Sequence, residues 1–207
     1  MLKKARIAVL VSGGGTNLQA LIDAQRKKQL ISGEICLVIS GNPGAYALKR
    51  AADAGIPTRV ISRKELGGQA PFEEKLIESL YEFEIDLIVL AGFLTILSGD
   101  FTRRYPRRIL NVHPALIPSF CGKGMYGLKV HEAALAYGVK VTGATVHFVN
   151  EIPDGGEILM QQPVFVKPGD TPELLQRRVM EEAEWVILPR AVEQVCCEII
   201  NKKENNR

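Results

Sequence analysis

Cysteine is scarce and unpatterned in this 207-residue chain. Cys36, Cys121, Cys196 and Cys197 form no CxxC and no metal-ligand spacing, so no metal site is expected. Cys36 lies in an apolar, strand-like run, where a reduced, buried thiol is the default. Long apolar runs are also missing. Nothing approaches the ~20 residues that span a bilayer. The N-terminus passes from Lys3 and Lys4 directly into a strand, without the apolar core of a secretion signal. These absences lead us to expect a cytoplasmic protein with no membrane contact. Excess charge is lacking too: the net charge of +3 is too weak to argue for nucleic acid. Arg103, Arg104, Arg107 and Arg108 read as a solvated face, as does Arg26-Lys27-Lys28. There are no repeats, low-complexity tracts or linkers. With 46% hydrophobic and 24% charged residues the composition is that of a globular protein. One domain over 1-200 and a frayed polar tail over 201-207 are expected.

What is present is an alternation of apolar strands and amphipathic helices. Arg6 to Val11 is a near-continuous apolar run, as in a parallel strand covered on both faces. Further strands are expected over Glu34 to Ser40, Thr58 to Ile61, Asp86 to Leu90 and Ile109 to His113. Helices are expected over Ala45 to Ala54, Phe72 to Phe83 and briefly after Ser98. This order predicts an α/β fold with a doubly wound, mostly parallel sheet. Val130 to Tyr137 reads as a helix ended by Gly138. Val141 to Val149 and Ile158 to Val166 follow each other directly, which predicts an antiparallel edge extension in the C-terminal half. A long helix from about Pro172 to Cys197, capped by Asp170 or Thr171, should kink or break at Pro189.

Three strand ends carry distinctive chemistry, and in such sheets ligands lie outside the carboxyl ends of strands. After Val11 comes Ser12-Gly13-Gly14-Gly15-Thr16-Asn17. Leu18 replaces the third glycine of GxGxxG, and no Lys-Ser/Thr pair follows for a P-loop. Two readings stand: a plain turn with Thr16 or Asn17 as N-cap, or a site for one phosphate using backbone N–H groups, the Thr16 hydroxyl and the Asn17 amide. Three consecutive glycines exceed what a cap requires and favour the anion site. The second end is Ala91-Gly92-Phe93. The third is Asn111-Val112-His113-Pro114, where Asn111 and His113 share one strand face. An amide N–H beside an imidazole suits a developing oxyanion. An adjacent carboxylate would raise the pKa of His113 and keep its proton available. Asp154, before Gly155-Gly156, is the best candidate, although a solvated turn carboxylate is the other reading of Pro-Asp-Gly. No GxSxG elbow offers a rival mechanism.

Together, Ser12–Asn17, Ala91-Gly92-Phe93-Leu94, Leu110–Pro114, Thr142–Phe148 and Asp154-Gly155-Gly156 make the chain resemble the phosphoribosylglycinamide formyltransferase family over nearly its full length. The resemblance implies that the amine of glycinamide ribonucleotide attacks the formyl carbon of 10-formyltetrahydrofolate in purine biosynthesis. Asn111 and His113 would stabilise the oxyanion, and Asp154 would hold His113 charged and assist proton transfer. Gly14, Gly15, Thr16 and Asn17 would bind the substrate phosphate, with Pro114 and Glu184 as further substrate contacts, Glu184 on the ribose hydroxyls. Phe93, Leu94, Thr95, Ile96, Leu97 and Asn111 would form the folate site. The folate is a cosubstrate; no bound cofactor or metal is implied. The partners are these two small molecules, without nucleic acid, in a monomer or homodimer. Thr95 and Gln69 stand where the family often has arginines. The Phe120 to Leu128 loop is longer than in well-known members, so that Lys123 or Lys129 would meet folate carboxylates instead. Two related activities are weighed against this. A deformylase uses water as acceptor and usually adds an N-terminal domain, and a methionyl-tRNA formyltransferase adds a C-terminal one. A non-enzymatic phosphate-binding module would leave Asn111, His113 and Asp154 unexplained.

Overall fold

The apolar run near the N-terminus forms β1 (Ala5–Val11) at the centre of a seven-stranded sheet, in a computed structural model that describes residues 4–205. β1 alternates between two cores. Ile7, Val9 and Val11 enter one apolar cluster, and Ala8 and Leu10 enter the other. That two-sided burial is why the segment lacks a polar face.

Around β1 lie β2 (Gly33–Ser40), β3 (Thr58–Val60), β4 (Leu87–Leu90), β5 (Ile109–His113), β6 (Val141–Phe148) and β7 (Ile158–Phe165), in the order β3-β2-β1-β4-β5-β6-β7. Pairing is parallel from β3 through β5, while β6 and β7 run antiparallel. The chain first builds outward from β1 to β3, then crosses to β4 on the other side. The resulting switch point lies between the carboxyl ends of β1 and β4, where two loops must part and leave a crevice. There the Ser12 N–H donates to the Gly92 carbonyl at 3.1 Å, and the Leu94 N–H to the Ser12 hydroxyl at 3.0 Å.

Helices cover both faces: α1 (Thr16–Arg26), α2 (Tyr46–Asp53), α3 (Gln69–Glu82), α4 (Gly99–Arg104), α5 (Leu128–Tyr137), α6 (Pro172–Val179) and α7 (Trp185–Asn205). Leu18 and Leu21 of α1 share a core with Leu188 and Val192 of α7. Phe72, Leu76 and Leu80 of α3 pack with Phe101 of α4 on the opposite face. Ser98 caps α4 by accepting from the Phe101 N–H, and Thr171 rather than Asp170 caps α6.

Two expectations for the C-terminal half are corrected. The helix does not break at Pro189, which lies inside α7; the irregularity is upstream, a π-type turn over Met180–Glu184. Proline cannot donate to the carbonyl four residues back and crowds it. A widened turn just before that position loosens the ladder and lets the helix continue. The expected frayed tail is helical through Asn205, with Lys203 Nζ 2.5 Å from Asp86 Oδ1; Asn206 and Arg207 lie outside the described residues.

Candidate active site

The glycine loop is shaped by α2. Gly15 has φ +72°, and a Cβ there would lie 2.6 Å from Ala47 Cβ and 2.8 Å from Ala47 Cα. No other residue fits. The Gly13 carbonyl accepts from the Ala47 N–H at 3.1 Å and the Gly14 carbonyl from Arg50 Nε at 2.8 Å. With the carbonyls held on α2, and no side chain capping α1, the N–H groups of the first turn remain for an anion. Thr16 Oγ1 has only a 3.9 Å contact with Met180 sulfur, so its hydroxyl is nearly free.

Asn17 departs from expectation. Its Nδ2 donates to Glu184 Oε2 at 2.7 Å, both residues are buried, and Asn17 Oδ1 has no partner among the described residues. Buried amides satisfy the strongest acceptor within reach, so this amide is directed at the carboxylate and Asn17 offers the loop its backbone N–H. Burial pushes the Glu184 carboxyl above the usual carboxylate range, with the Asn17 amide opposing. The structure thereby brings Glu184, 167 residues away in sequence, against the glycine loop.

At the end of β5 the alternation places Asn111 and His113 on one face, while Leu110 and Val112 enter the core. Asp154 meets both. Its Oδ1 is 3.4 Å from Asn111 Nδ2, its Oδ2 is 3.6 Å from His113 Nδ1, and Oδ2 accepts from the Gly122 N–H at 2.9 Å. The turn that carries Asp154 holds it at φ +56°.

His147, which sequence reasoning left as a strand residue, completes the group. It stands opposite Asn111 in the β5–β6 ladder. Its Nδ1 donates to the Phe148 carbonyl at 2.9 Å, because a carbonyl can only accept. Nε2 is then the lone pair that meets Asn111 Nδ2–H at 3.1 Å, and it lies 3.6 Å from Asp154 Oδ1. Only the antiparallel register reveals this, although a histidine alternating with Thr145 on the buried face was a usable signal.

His113 is almost wholly buried. Its Nε2–H donates to the Phe120 carbonyl at 2.8 Å, leaving Nδ1 toward Asp154. The expected rise in its pKa is corrected. Burial lowers it more than Asp154 and the Phe120 carbonyl raise it, and the net value is below that of an ordinary histidine. For Asp154, burial raises the pKa, but the neighbouring His147 ring, the Gly122 N–H and the positive charge that His113 can carry outweigh it, and the carboxylate is held low. Neutral His113 facing ionised Asp154 is therefore the resting pair near neutrality, and it has room for one proton. His131, fully buried behind them on α5, has no partner for either ring nitrogen among the described residues; burial and the neighbouring His113 push it down to about 4.

These directions fix the sign of a pH effect. Acid fills the proton-accepting pair, so kcat/KM should be level at neutral pH and fall below the ordinary histidine range of ~6.5. Asp154→Asn withdraws the charge that raises His113 and should move the acid limb lower still, as steady-state rates across pH would show. A limb that moves upward would contradict this pairing.

A cavity of about 110 Å³ opens beside these groups. It is lined by Leu90, Phe93 to Leu97, Asn111, His147 and Val149 to Asp154. All the folate candidates, Phe93, Leu94, Thr95, Ile96, Leu97 and Asn111, are thus brought together. Gln69 Nε2 donates to the Ile96 carbonyl at 3.0 Å and ties that loop to α3. Lys129, in the first turn of α5, lies 4.9 Å from the Tyr126 ring centroid, a cation–π contact. Pro114 follows His113 directly and is half-buried. Among the described residues, no group of three or more His, Cys, Asp or Glu is placed to hold a metal, and no helix is long and apolar enough to cross a membrane.

This geometry agrees with what the chain is similar to. Residues 5–192 match the family model described as formyl transferase, and the chain belongs to that family. Among its relatives, phosphoribosylglycinamide formyltransferase of Haemophilus influenzae is 41% identical over 90% of this chain and 85% of its own length. The trifunctional purine biosynthetic protein adenosine-3 of Bos taurus is 47% identical over 99% of this chain, which spans about a fifth (20%) of that longer protein. Glycinamide ribonucleotide transformylase 1 of Symbiobacterium toebii has a solved structure that superposes with a TM-score of 0.87. It is 40% identical and covers 94% of this chain, which covers 89% of it.

Proposed function

We propose that this chain, as a single formyltransferase domain in the cytoplasm, transfers the formyl group of 10-formyltetrahydrofolate to the amine of glycinamide ribonucleotide. The observation that carries this reading is the meeting of Asn111, His113, His147 and Asp154 at the rim of the Phe93–Leu97 cavity, within one sheet end of a phosphate-sized glycine loop.

The phosphate sits on the N–H groups from Gly14 to Asn17 and the Thr16 hydroxyl, which points the substrate amine toward β5. Pro114 lies beside the substrate and Glu184 faces its ribose. As the amine nitrogen bonds to the formyl carbon, the carbonyl electrons move to oxygen. Asn111 Nδ2 turns to that oxygen, giving up its long 3.4 Å bond to Asp154 for a stronger acceptor. The ammonium proton passes through water to the space between Asp154 Oδ2 and His113 Nδ1. The resulting imidazolium stabilises the oxyanion. Collapse breaks the bond from carbon to folate nitrogen, which takes up the same proton. His147 holds the Asn111 amide in plane. It is a positioning residue.

Formyl transfer assayed with and without glycinamide ribonucleotide tests the reading. Formylated ribonucleotide formed one-for-one with tetrahydrofolate is the expected result. Folate hydrolysis at the same rate without the acceptor would make water the nucleophile and refute it.

A further inference from the structure

A concavity larger than the one at the His113 centre lies elsewhere. A cleft of about 820 Å³ runs between α1 and α7, beginning at Thr16 and ending near Lys27 and Gln194. One face of α1 and one face of α7 line it, with Ala20, Ala24, Val186 and Pro189 supplying apolar surface and Trp185 an aromatic wall. Its volume falls within the range of sites for small organic ligands.

The charges in this cleft are unevenly used. Both carboxylates are engaged: Asp23 accepts from Gln19 Nε2 at 2.9 Å, and Glu193 accepts from the backbone N–H groups of Ile31 at 2.8 Å and Ser32 at 2.9 Å. Arg50 is tied to the Gly14 carbonyl and to Gln19 Oε1, and lies 5.0 Å from the Tyr46 ring centroid. The side chains of Lys27 and Arg190 have no hydrogen-bond or ion-pair partner among the described residues, although two carboxylates line the same cleft. A further polar group is unsatisfied: the Trp185 indole N–H is buried without an acceptor among the described residues. Such a group is uncommon in folded proteins and asks for a partner. Two free cations, an indole lacking an acceptor and an apolar strip between them describe one kind of ligand.

We propose that the α1–α7 cleft is a second ligand site, separate from the formyl-transfer centre, for a planar aromatic anion of mononucleotide size. The ring stacks on Trp185 and Pro189, and the anionic group lies with Arg190 and Lys27. The indole turns toward an acceptor on the ligand. Because the cleft begins at Thr16, an occupant there also bears on the glycine loop, which gives it a route to affect substrate affinity.

Trp185 is the one tryptophan of the chain, so its fluorescence reports this cleft directly. The protein, saturated with glycinamide ribonucleotide to fill the glycine loop and with tetrahydrofolate to fill the Phe93–Leu97 cavity, is titrated with AMP, with folic acid and with inorganic phosphate. A saturable change in emission with AMP or folic acid, confirmed by calorimetry, is expected; which of the two binds tells nucleotide from folate as the source. Lys27→Glu with Arg190→Glu should weaken that binding at least about tenfold without changing KM for glycinamide ribonucleotide. Thermal melts confirm that the exposed charge reversals fold, and Lys27→Ala with Arg190→Ala repeats the test without new charge. Three results overturn the site. They are no saturable binding of either aromatic anion, binding that the ribonucleotide displaces and charge reversal spares, and inorganic phosphate binding as tightly as the aromatic anions.

Discussion

Asp154→Asn is expected to lower kcat by roughly 10²–10³-fold while leaving KM for both substrates nearly unchanged. Asparagine keeps the shape of the side chain and tolerates the left-handed backbone that Asp154 adopts at φ +56°. The turn should therefore persist. What disappears is the negative charge 3.6 Å from His113 Nδ1, which draws the migrating proton onto the imidazole. A loss in kcat with KM preserved marks an interaction made in the transition state rather than in substrate binding. Single-turnover rates and an unchanged melting curve would separate this from misfolding. Turnover near the parent value would remove Asp154 from the chemistry.

Gly156→Ala should be nearly as damaging for a different reason. A Cβ at Gly156 would stand 1.7 Å from the Phe148 carbonyl oxygen and 2.7 Å from its carbon, closer than any non-bonded contact allows. The Phe148 N–H bonds the Glu157 carbonyl at 2.8 Å, so this close approach joins the end of β6 to the start of β7. Alanine must push the two chains apart, which carries Asp154, two residues earlier, away from Asn111. We expect a stability loss of about 3 kcal/mol, read as a lower denaturant midpoint, together with a severe loss of kcat. Gly13→Ala is the control, since a Cβ there meets nothing within 4 Å. Equal stability of the two variants would show that the close approach at Gly156 is not needed.

Much of the framework was legible because it depends on local pattern. The apolar run of β1, the helical spacing of Phe72, Leu76 and Leu80, and the glycine that ends α5 each act within a few residues. The sharing of one face by Asn111 and His113 follows from strand geometry alone. The pairing of Asp154 with both could be suspected only from chemistry, since 43 residues separate it from Asn111. The contact of His147 with Asn111 and the Asn17–Glu184 bond were not legible: one depends on the β5–β6 register, the other on where the π-type turn before α7 meets α1. The sign of the His113 shift was missed because a neighbouring charge can be guessed from sequence, whereas the depth of burial that opposes it cannot.

Asn111 and His113 belong to β5, inside the parallel framework, but His147 lies on β6 and Asp154 in the turn between β6 and the edge strand β7. An edge pair can open without the rest of a domain unfolding. Such a partial opening would leave β1 to β5 and the glycine loop intact while parting the carboxylate from its imidazole. Activity would therefore be lost on warming before the cooperative transition, in molecules that still hold phosphate.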